Sequence, residues 1–123
     1  MNRSIAASLL VLVVAAGRAV AGEPAVVAAK AEREPAGTYR FEVTVRHDDT
    51  GWNHYADKWD VVAPDGTVLA TRVLLHPHED EQPFTRDMGG VRVPAGIRSV
   101  AVRAHDKVHG YGKETATVDL PGR

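Results

Sequence analysis

Apolar and polar residues alternate strictly along TYRFEVTVRH, residues 38–47. Tyr39, Phe41, Val43 and Val45 share one side of this segment, and charged or hydroxyl side chains take the positions between them. Successive side chains of a β-strand point to opposite faces, so this period of two predicts a strand with one buried face. No segment shows the sustained period of three to four residues that is typical of an amphipathic helix.

Further segments with strand character recur about every ten residues and are separated by turn residues. They are 58–63, 67–76, short stretches around 84–86 and 91–93 with a bend or bulge at Gly89-Gly90, 97–106 and 114–121. The turn Pro64-Asp65-Gly66 makes 58–63 and 67–76 a hairpin. This pattern predicts an all-β chain, an immunoglobulin-like or fibronectin-like antiparallel β-sandwich of about seven strands, with Trp59 buried between the sheets.

The first 21 residues have the order of a secretory signal peptide: Arg3, an apolar run from Ile5 to Ala16, and the small-residue triplet ending at Ala21. The run is shorter than the roughly 20 residues that span a membrane. We therefore expect cleavage after Ala21 and an exported protein, periplasmic or secreted, whose mature form has no membrane span. Residues 22–36 are then a leader or a weak first strand, and residues 37–123 are the sandwich domain.

Charge and cysteine content exclude several classes of protein. The formal net charge of the chain is −1, and removal of Arg3 and Arg18 with the signal peptide makes it more negative. Nucleic-acid binding, which selects clustered Lys and Arg, is therefore not expected. The chain has no cysteine, so we expect no disulfides. A lipoprotein anchor needs a cysteine at its cleavage point and is therefore not expected either.

Antiparallel topology places all six histidines at one end of the predicted sandwich. Strands that rise toward this end finish near residues 47, 76 and 105, and the loops that cross it carry the remaining histidines. The opposite end, formed by the turns 64–66 and 94–96, has no histidine. We call the histidine-rich end the upper pole, and it also collects Asp48, Asp49, Asp57, Glu79, Asp80, Glu81 and Asp106.

Imidazole and carboxylate groups together suit divalent transition metals, and Zn²⁺ or Cu²⁺ is the expected cofactor if one is bound. His76, His78 and His105 are the first candidate ligands, since the proline of His76-Pro77-His78 stiffens that pair. The further candidates are His47, Asp57, His54 and His109. A histidine at a strand end also commonly bonds a loop carbonyl and binds no metal, so the hypothesis depends on these residues lying together.

A metal-free alternative uses the same loops to bind a protein or glycan of the cell envelope. Exposed aromatic side chains carry contact energy in such recognition. The candidate contact residues are Trp52, Tyr55, Tyr111, Glu79 and Glu81. The chain has no nucleophile elbow, phosphate loop or zincin helix, so no enzymatic activity is expected. The sequence leaves the oligomeric state open.

Several segments between Phe41 and Gly112 resemble a group of small exported bacterial proteins. The resemblance is carried by the segments GW-x-HYAD, the Pro-Asp-Gly turn and HPH-x-x-EQPFTR, which span residues 51–57, 64–66 and 76–86. It implies export and a shared architecture. No activity is established for that group, so the resemblance assigns no ligand and no catalytic residue.

Overall fold

The computed structural model describes the backbone of Leu10–Val11 and residues 22–123 in full. This part of the chain is all-β, as predicted. Its strands are β1 (Leu10–Val11), β2 (Ala25–Arg33), β3 (Tyr39–Arg46), β4 (Ala56–Val62), β5 (Val68–Val73), β6 (Phe84–Val91), β7 (Ser99–Asp106), β8 (Gly110–Tyr111) and β9 (Ala116–Asp119). Apart from β1, the predicted signal peptide lies outside the described residues.

The strands form two antiparallel sheets that pack as a sandwich. One sheet has the order β1-β2-β3-β6, and the other has the order β5-β4-β7-β8, with β9 also pairing with β7. In an immunoglobulin constant-type sandwich the fourth strand belongs to the same sheet as the first two strands. The corresponding strand here is β5, counted from β2. Here β5 forms a hairpin with β4, so the second sheet is the larger one, which is the fibronectin-like arrangement.

The core lies between the sheets and is built from the alternating inward positions. Tyr39, Phe41, Val43 and Val45 of β3 are all fully buried, and Trp59 of β4 packs with them in the same cluster. Their burial removes the apolar face of each strand from water, which is the main force that holds the sheets together. The alternation that predicted β3 therefore also identified the residues of the core.

The structure corrects the prediction for residues 84–93 and decides between the two alternatives for residues 22–36. Residues 84–93 were expected to contain two short strands, but a single strand β6 runs from Phe84 to Val91. The register shifts between Tyr39 and Phe41, so a bulge accommodates the two glycines without ending the strand. Residues 22–36 contain β2, which pairs with β3 along its length.

The lower pole, opposite the histidines, is formed by the turns 64–66 and 94–96, as the sequence topology predicted. The Gly66 amide donates to the Ala63 carbonyl at 2.9 Å and closes the first turn. The guanidinium of Arg123 donates to the carbonyls of Pro94 at 2.6 Å and Val93 at 2.8 Å. The last residue of the chain is thus anchored at the lower pole.

No helix within residues 22–123 is long and apolar enough to cross a membrane.

Candidate metal centre

Strand alternation directs His47 and Asp106 into the top of the sandwich. His47 follows β3 at the next inward position after Val45, and its side chain has no exposed surface. Asp106 ends β7 at the inward position after Ala104, and it is also fully buried. The two strands belong to different sheets, so the imidazole and the carboxylate meet across the upper end of the core.

Three imidazole nitrogens surround one oxygen of the Asp106 carboxylate. The distances from Oδ2 are 3.0 Å to Nε2 of His47, 3.3 Å to Nε2 of His54 and 3.0 Å to Nδ1 of His109. One ligand atom from each of His47, His54 and Asp106 lies within 4.8 Å of the others. We call His47, His54, His109 and Asp106 together the histidine cluster.

Local turns hold the outer members of the histidine cluster in place. Oδ1 of Asp106 accepts the backbone amides of Val108, at 2.7 Å, and His109. This bonding of an aspartate to amides two and three residues ahead stabilises a tight turn and brings the His109 ring back over the carboxylate. His54 closes a second tight loop, in which its amide donates to the Gly51 carbonyl at 3.2 Å.

A second buried carboxylate, Asp49, supports His47 from the other side of its ring. Asp49 Oδ1 lies 2.5 Å from His47 Nδ1 and also accepts the Ala56 amide at 3.0 Å. Its Oδ2 accepts the His78 amide at 2.6 Å. A carboxylate that bonds the far nitrogen of a histidine fixes the ring and its tautomer, which is the usual outer-shell arrangement around a metal-ligating histidine.

His47 has a hydrogen-bond acceptor at each ring nitrogen. Asp49 faces Nδ1, while Asp106 and the Gly22 carbonyl, at 3.0 Å, face Nε2. A neutral imidazole carries one N–H and satisfies only one side. The two acceptors therefore favour the imidazolium form of His47. Burial lowers the pKa of His47, but the hydrogen bonds and charges of the two carboxylates outweigh it and raise the pKa above its usual value.

The carboxylates of the site are ionised. Burial raises the pKa of Asp106, but hydrogen bonds, led by those from the His109 amide and ring, outweigh it and lower the pKa to about 2. Burial opposes ionisation of Asp49 in the same way, yet its hydrogen bonds with His47 and the backbone lower its pKa too. Two buried negative charges thus face the His47 ring from opposite sides.

Two separations within the histidine cluster are close to the ligand spacing of a tetrahedral Zn²⁺ ion. An ion with bonds of about 2.1 Å holds its ligand atoms about 3.4 Å apart. The separations from Asp106 Oδ2 to the His47 and His54 nitrogens, 3.0 and 3.3 Å, are close to that spacing. Histidine nitrogen and carboxylate oxygen are ligands that Zn²⁺ and Cu²⁺ both accept.

The first ligand candidates from the sequence lie outside the histidine cluster. His105 is on the outer face of β7, where its Nδ1 lies 2.7 Å from Asp57 Oδ1. His76 is exposed, and its Nδ1 lies 3.1 Å from the Pro77 carbonyl. His78 is buried and stacks on the Phe84 ring at 4.0 Å between centroids, and neither of its ring nitrogens has a hydrogen-bond partner.

The residues predicted for a metal-free interface are spread over the upper pole. Trp52 is 65% exposed and its ring meets that of the nearly buried Tyr55 at 5.6 Å. Tyr111 lies under the Arg103 guanidinium on the outer face of the second sheet. Glu79 is exposed, and Glu81 forms an ion pair with Arg86 at 3.1 Å.

Asp106 and Asp49 were assigned to the upper pole by the sequence but were not among its candidate ligands. The pattern of β7 holds a signal for Asp106. Val100, Val102 and Ala104 point inward, so the same alternation places residue 106 inside and His105 outside. Asp49 lies beyond the strand, where alternation no longer applies, and only the folded loop reveals its bonds.

Comparison with known proteins relates part of the chain to a longer protein. The chain is 47% identical over 79 residues, 64% of its length, to a protein of Halomicrobium mukohataei named "Putative lipoprotein". The aligned region spans 38% of that longer relative. No family model and no solved structure matches the chain.

Proposed function

We propose that this chain is an exported binding protein for a divalent transition metal, Zn²⁺ or Cu²⁺, held by His47, His54 and Asp106. The His109 ring borders this site, with its Nδ1 3.0 Å from the same carboxylate oxygen. Export is supported by the signal-like sequence of residues 1–21 and by the name of the relative, since lipoproteins are exported proteins. The binding role is supported by the His and Asp ligand atoms that the site brings together.

One observation carries this proposal: three imidazole nitrogens converge on a single buried carboxylate oxygen. An ionised carboxylate has about four lone-pair sites, about two on each oxygen, and here two backbone amides already bond Oδ1 of Asp106. Three imidazole nitrogens lie around Oδ2, which has only about two lone-pair sites. Their crowding is explained if a metal ion binds among them and takes the nitrogen lone pairs.

Metal binding at this site must displace a proton. Without metal, the His47 Nε2–H satisfies Asp106 Oδ2, and with metal that nitrogen donates its lone pair to the ion. Asp49 keeps the other N–H of His47 in both states, so the ring does not have to rotate. Metal binding therefore releases at least one proton, and affinity falls as the pH is lowered because imidazole must be neutral to bind.

Isothermal titration with Zn²⁺ and with Cu²⁺ tests the proposal on purified protein. We expect one ion per chain and a proton release that appears as a dependence of the heat on buffer ionisation enthalpy. His47→Gln and His54→Gln should each weaken binding by at least about tenfold. His76→Gln, which removes an exposed histidine of the same pole, is the matched control. Equal loss in all three variants, or no binding by the unaltered protein, contradicts the proposal.

A second candidate function is metal-free recognition of a cell-envelope protein or glycan by the upper pole. The observation that favours it is the exposed ring of Trp52, which presents a flat apolar surface to solvent. Aromatic side chains of this kind anchor both protein and sugar contacts. Quenching of Trp52 fluorescence by envelope glycans, retained in His47→Gln and lost in Trp52→Ala, would support this role over metal binding.

A further inference from the structure

Residues 22–24 bring the start of the predicted mature chain against the histidine cluster. The carbonyl oxygen of Gly22 lies 3.0 Å from His47 Nε2. A methyl group added at Gly22 would meet the His109 ring at 2.8 Å. The residue thus lies between the two imidazoles, and only a glycine leaves room for both.

This position is fixed by contacts that are independent of the histidines. The carboxylate of Glu23 accepts the Lys113 amide at 3.2 Å. Pro24 packs so closely on Gly112 that any side chain there would collide with the Pro24 carbonyl. The Val26 amide then donates to the Glu114 carbonyl at 3.0 Å. The segment is held beside the turn that carries His109, whatever precedes Gly22.

Cleavage after Ala21 would change the chemistry of Gly22 at this place. Signal peptidase adds water across the Ala21–Gly22 peptide bond, which leaves a carboxylate on Ala21 and a free α-amine on Gly22. An amide nitrogen is a poor metal ligand because its lone pair is delocalised into the carbonyl. A free amine has an available lone pair, and with its own carbonyl oxygen it can close a five-membered chelate ring on an ion.

From these observations we infer that the α-amine of Gly22, freed by signal-peptide removal, is a ligand of the metal bound by His47, His54 and Asp106. This inference rests on the proposed metal-binding function. An additional nitrogen ligand favours Cu²⁺, which stands highest among the divalent first-row metals for nitrogen sites. The precursor lacks this ligand, so full metal affinity arises only once the protein has been exported and processed.

Three forms of the protein test the inference: the full chain 1–123, residues 22–123 with a free Gly22 amine, and residues 22–123 with that amine acetylated. The core is built from residues between Ala25 and Leu120, and β2 to β9 all lie within 22–123. The shorter forms therefore retain the whole core and every strand except the two-residue β1. Thermal melting without metal should give the two shorter forms the same midpoint and so exclude a folding effect of acetylation.

Copper affinity is then measured by competition with a chelator, and the Cu²⁺ electron paramagnetic resonance spectrum reports the number of nitrogen ligands. We expect the free-amine form to bind Cu²⁺ at least about tenfold more tightly than the other two, with one more coordinated nitrogen. Equal affinity and equal spectra in the free-amine and acetylated forms overturn the inference but leave the proposed function intact. Absence of copper and zinc binding in every form overturns both.

Discussion

Asp49 joins three separate parts of the upper pole and so offers a sensitive test of how the site is built. Its two oxygens accept from the His47 ring, the Ala56 amide and the His78 amide, and its side chain has no exposed surface. In Asp49→Asn the size is kept, but one acceptor oxygen becomes an NH₂ donor. At least one buried N–H then loses its acceptor, and the His47 ring keeps only Asp106 of its two neighbouring carboxylates.

The expected cost can be estimated from these contacts. An orphaned buried amide costs about 1–3 kcal/mol, and removal of one partner from a buried ion pair costs about 3–5 kcal/mol in total. We expect metal-free Asp49→Asn to lose about 3–5 kcal/mol of unfolding free energy, which for a domain of this size lowers the melting midpoint by more than about 10 °C. Metal affinity should fall by about 10–100-fold, because Asp49 orients the ligating ring.

Urea denaturation in the presence of a chelator measures the free energy of unfolding, and calorimetric titration measures the metal affinity. Asp48→Asn is the matched control, since it removes the same charge from the exposed neighbouring residue. Surface substitutions change the free energy of unfolding by up to about 0.5 kcal/mol. If Asp49→Asn and this control differed by no more than that, the hydrogen bonds of Asp49 would not stabilise the upper pole. A normal stability with unchanged metal affinity would refute the role of Asp49 as an outer-shell partner.

Three further expectations follow from other contacts. His78→Phe keeps an aromatic ring in the stack while removing two buried nitrogens that lack partners, so thermal melting should show stability that is unchanged or higher by about 1 kcal/mol. Gly112→Ala should lower the melting midpoint and loosen the segment at Pro24, visible as faster amide hydrogen exchange there. The raised pKa of His47 stabilises the metal-free fold below pH about 6.5. This contribution to the free energy of unfolding is lost as the pH rises through the pKa that His47 has in the folded protein. The lowered pKa of Asp106 adds stability above pH about 4 that is lost as the pH falls toward 2. The lowered pKa of His78 opposes the His47 contribution below pH about 6.5, so the test uses His78→Phe. In that variant metal-free stability should peak between about 4 and 6.5, and a flat profile would contradict both assignments.

The fold could be predicted from the sequence because alternation and turn residues are local signals. The strict pattern of Tyr39 to Val45 fixed both a strand and its buried face, and the turn Pro64-Asp65-Gly66 fixed a hairpin. The interruption at Gly89-Gly90 was harder to interpret. A bulge and a strand break have the same local sequence, and pairing with β3 along β6 decides between them.

The candidate site was predicted less completely. Topology placed the histidines at one end, because antiparallel strands deliver their ends in a regular order. Topology alone did not select His47 over His105, although strand alternation places residue 47 inside and residue 105 outside. His54 and His76 lie outside the strands, where alternation does not apply. His54 lies in a loop whose path follows from the contacts of the Thr50 and His54 backbone groups, and no periodic pattern predicts such a path.

Anchoring of Arg123 at the lower pole has a practical consequence for any attempt to immobilise or fuse this protein. The two ends of residues 22–123 lie at opposite ends of the sandwich, with Gly22 beside the histidines and Arg123 beside the turn at Pro94. A fusion partner, surface linker or purification handle attached after Arg123 leaves the upper pole facing outward and accessible. The same addition before Gly22 would place foreign chain directly over the histidine cluster, and a polyhistidine handle there would compete for the ion under study.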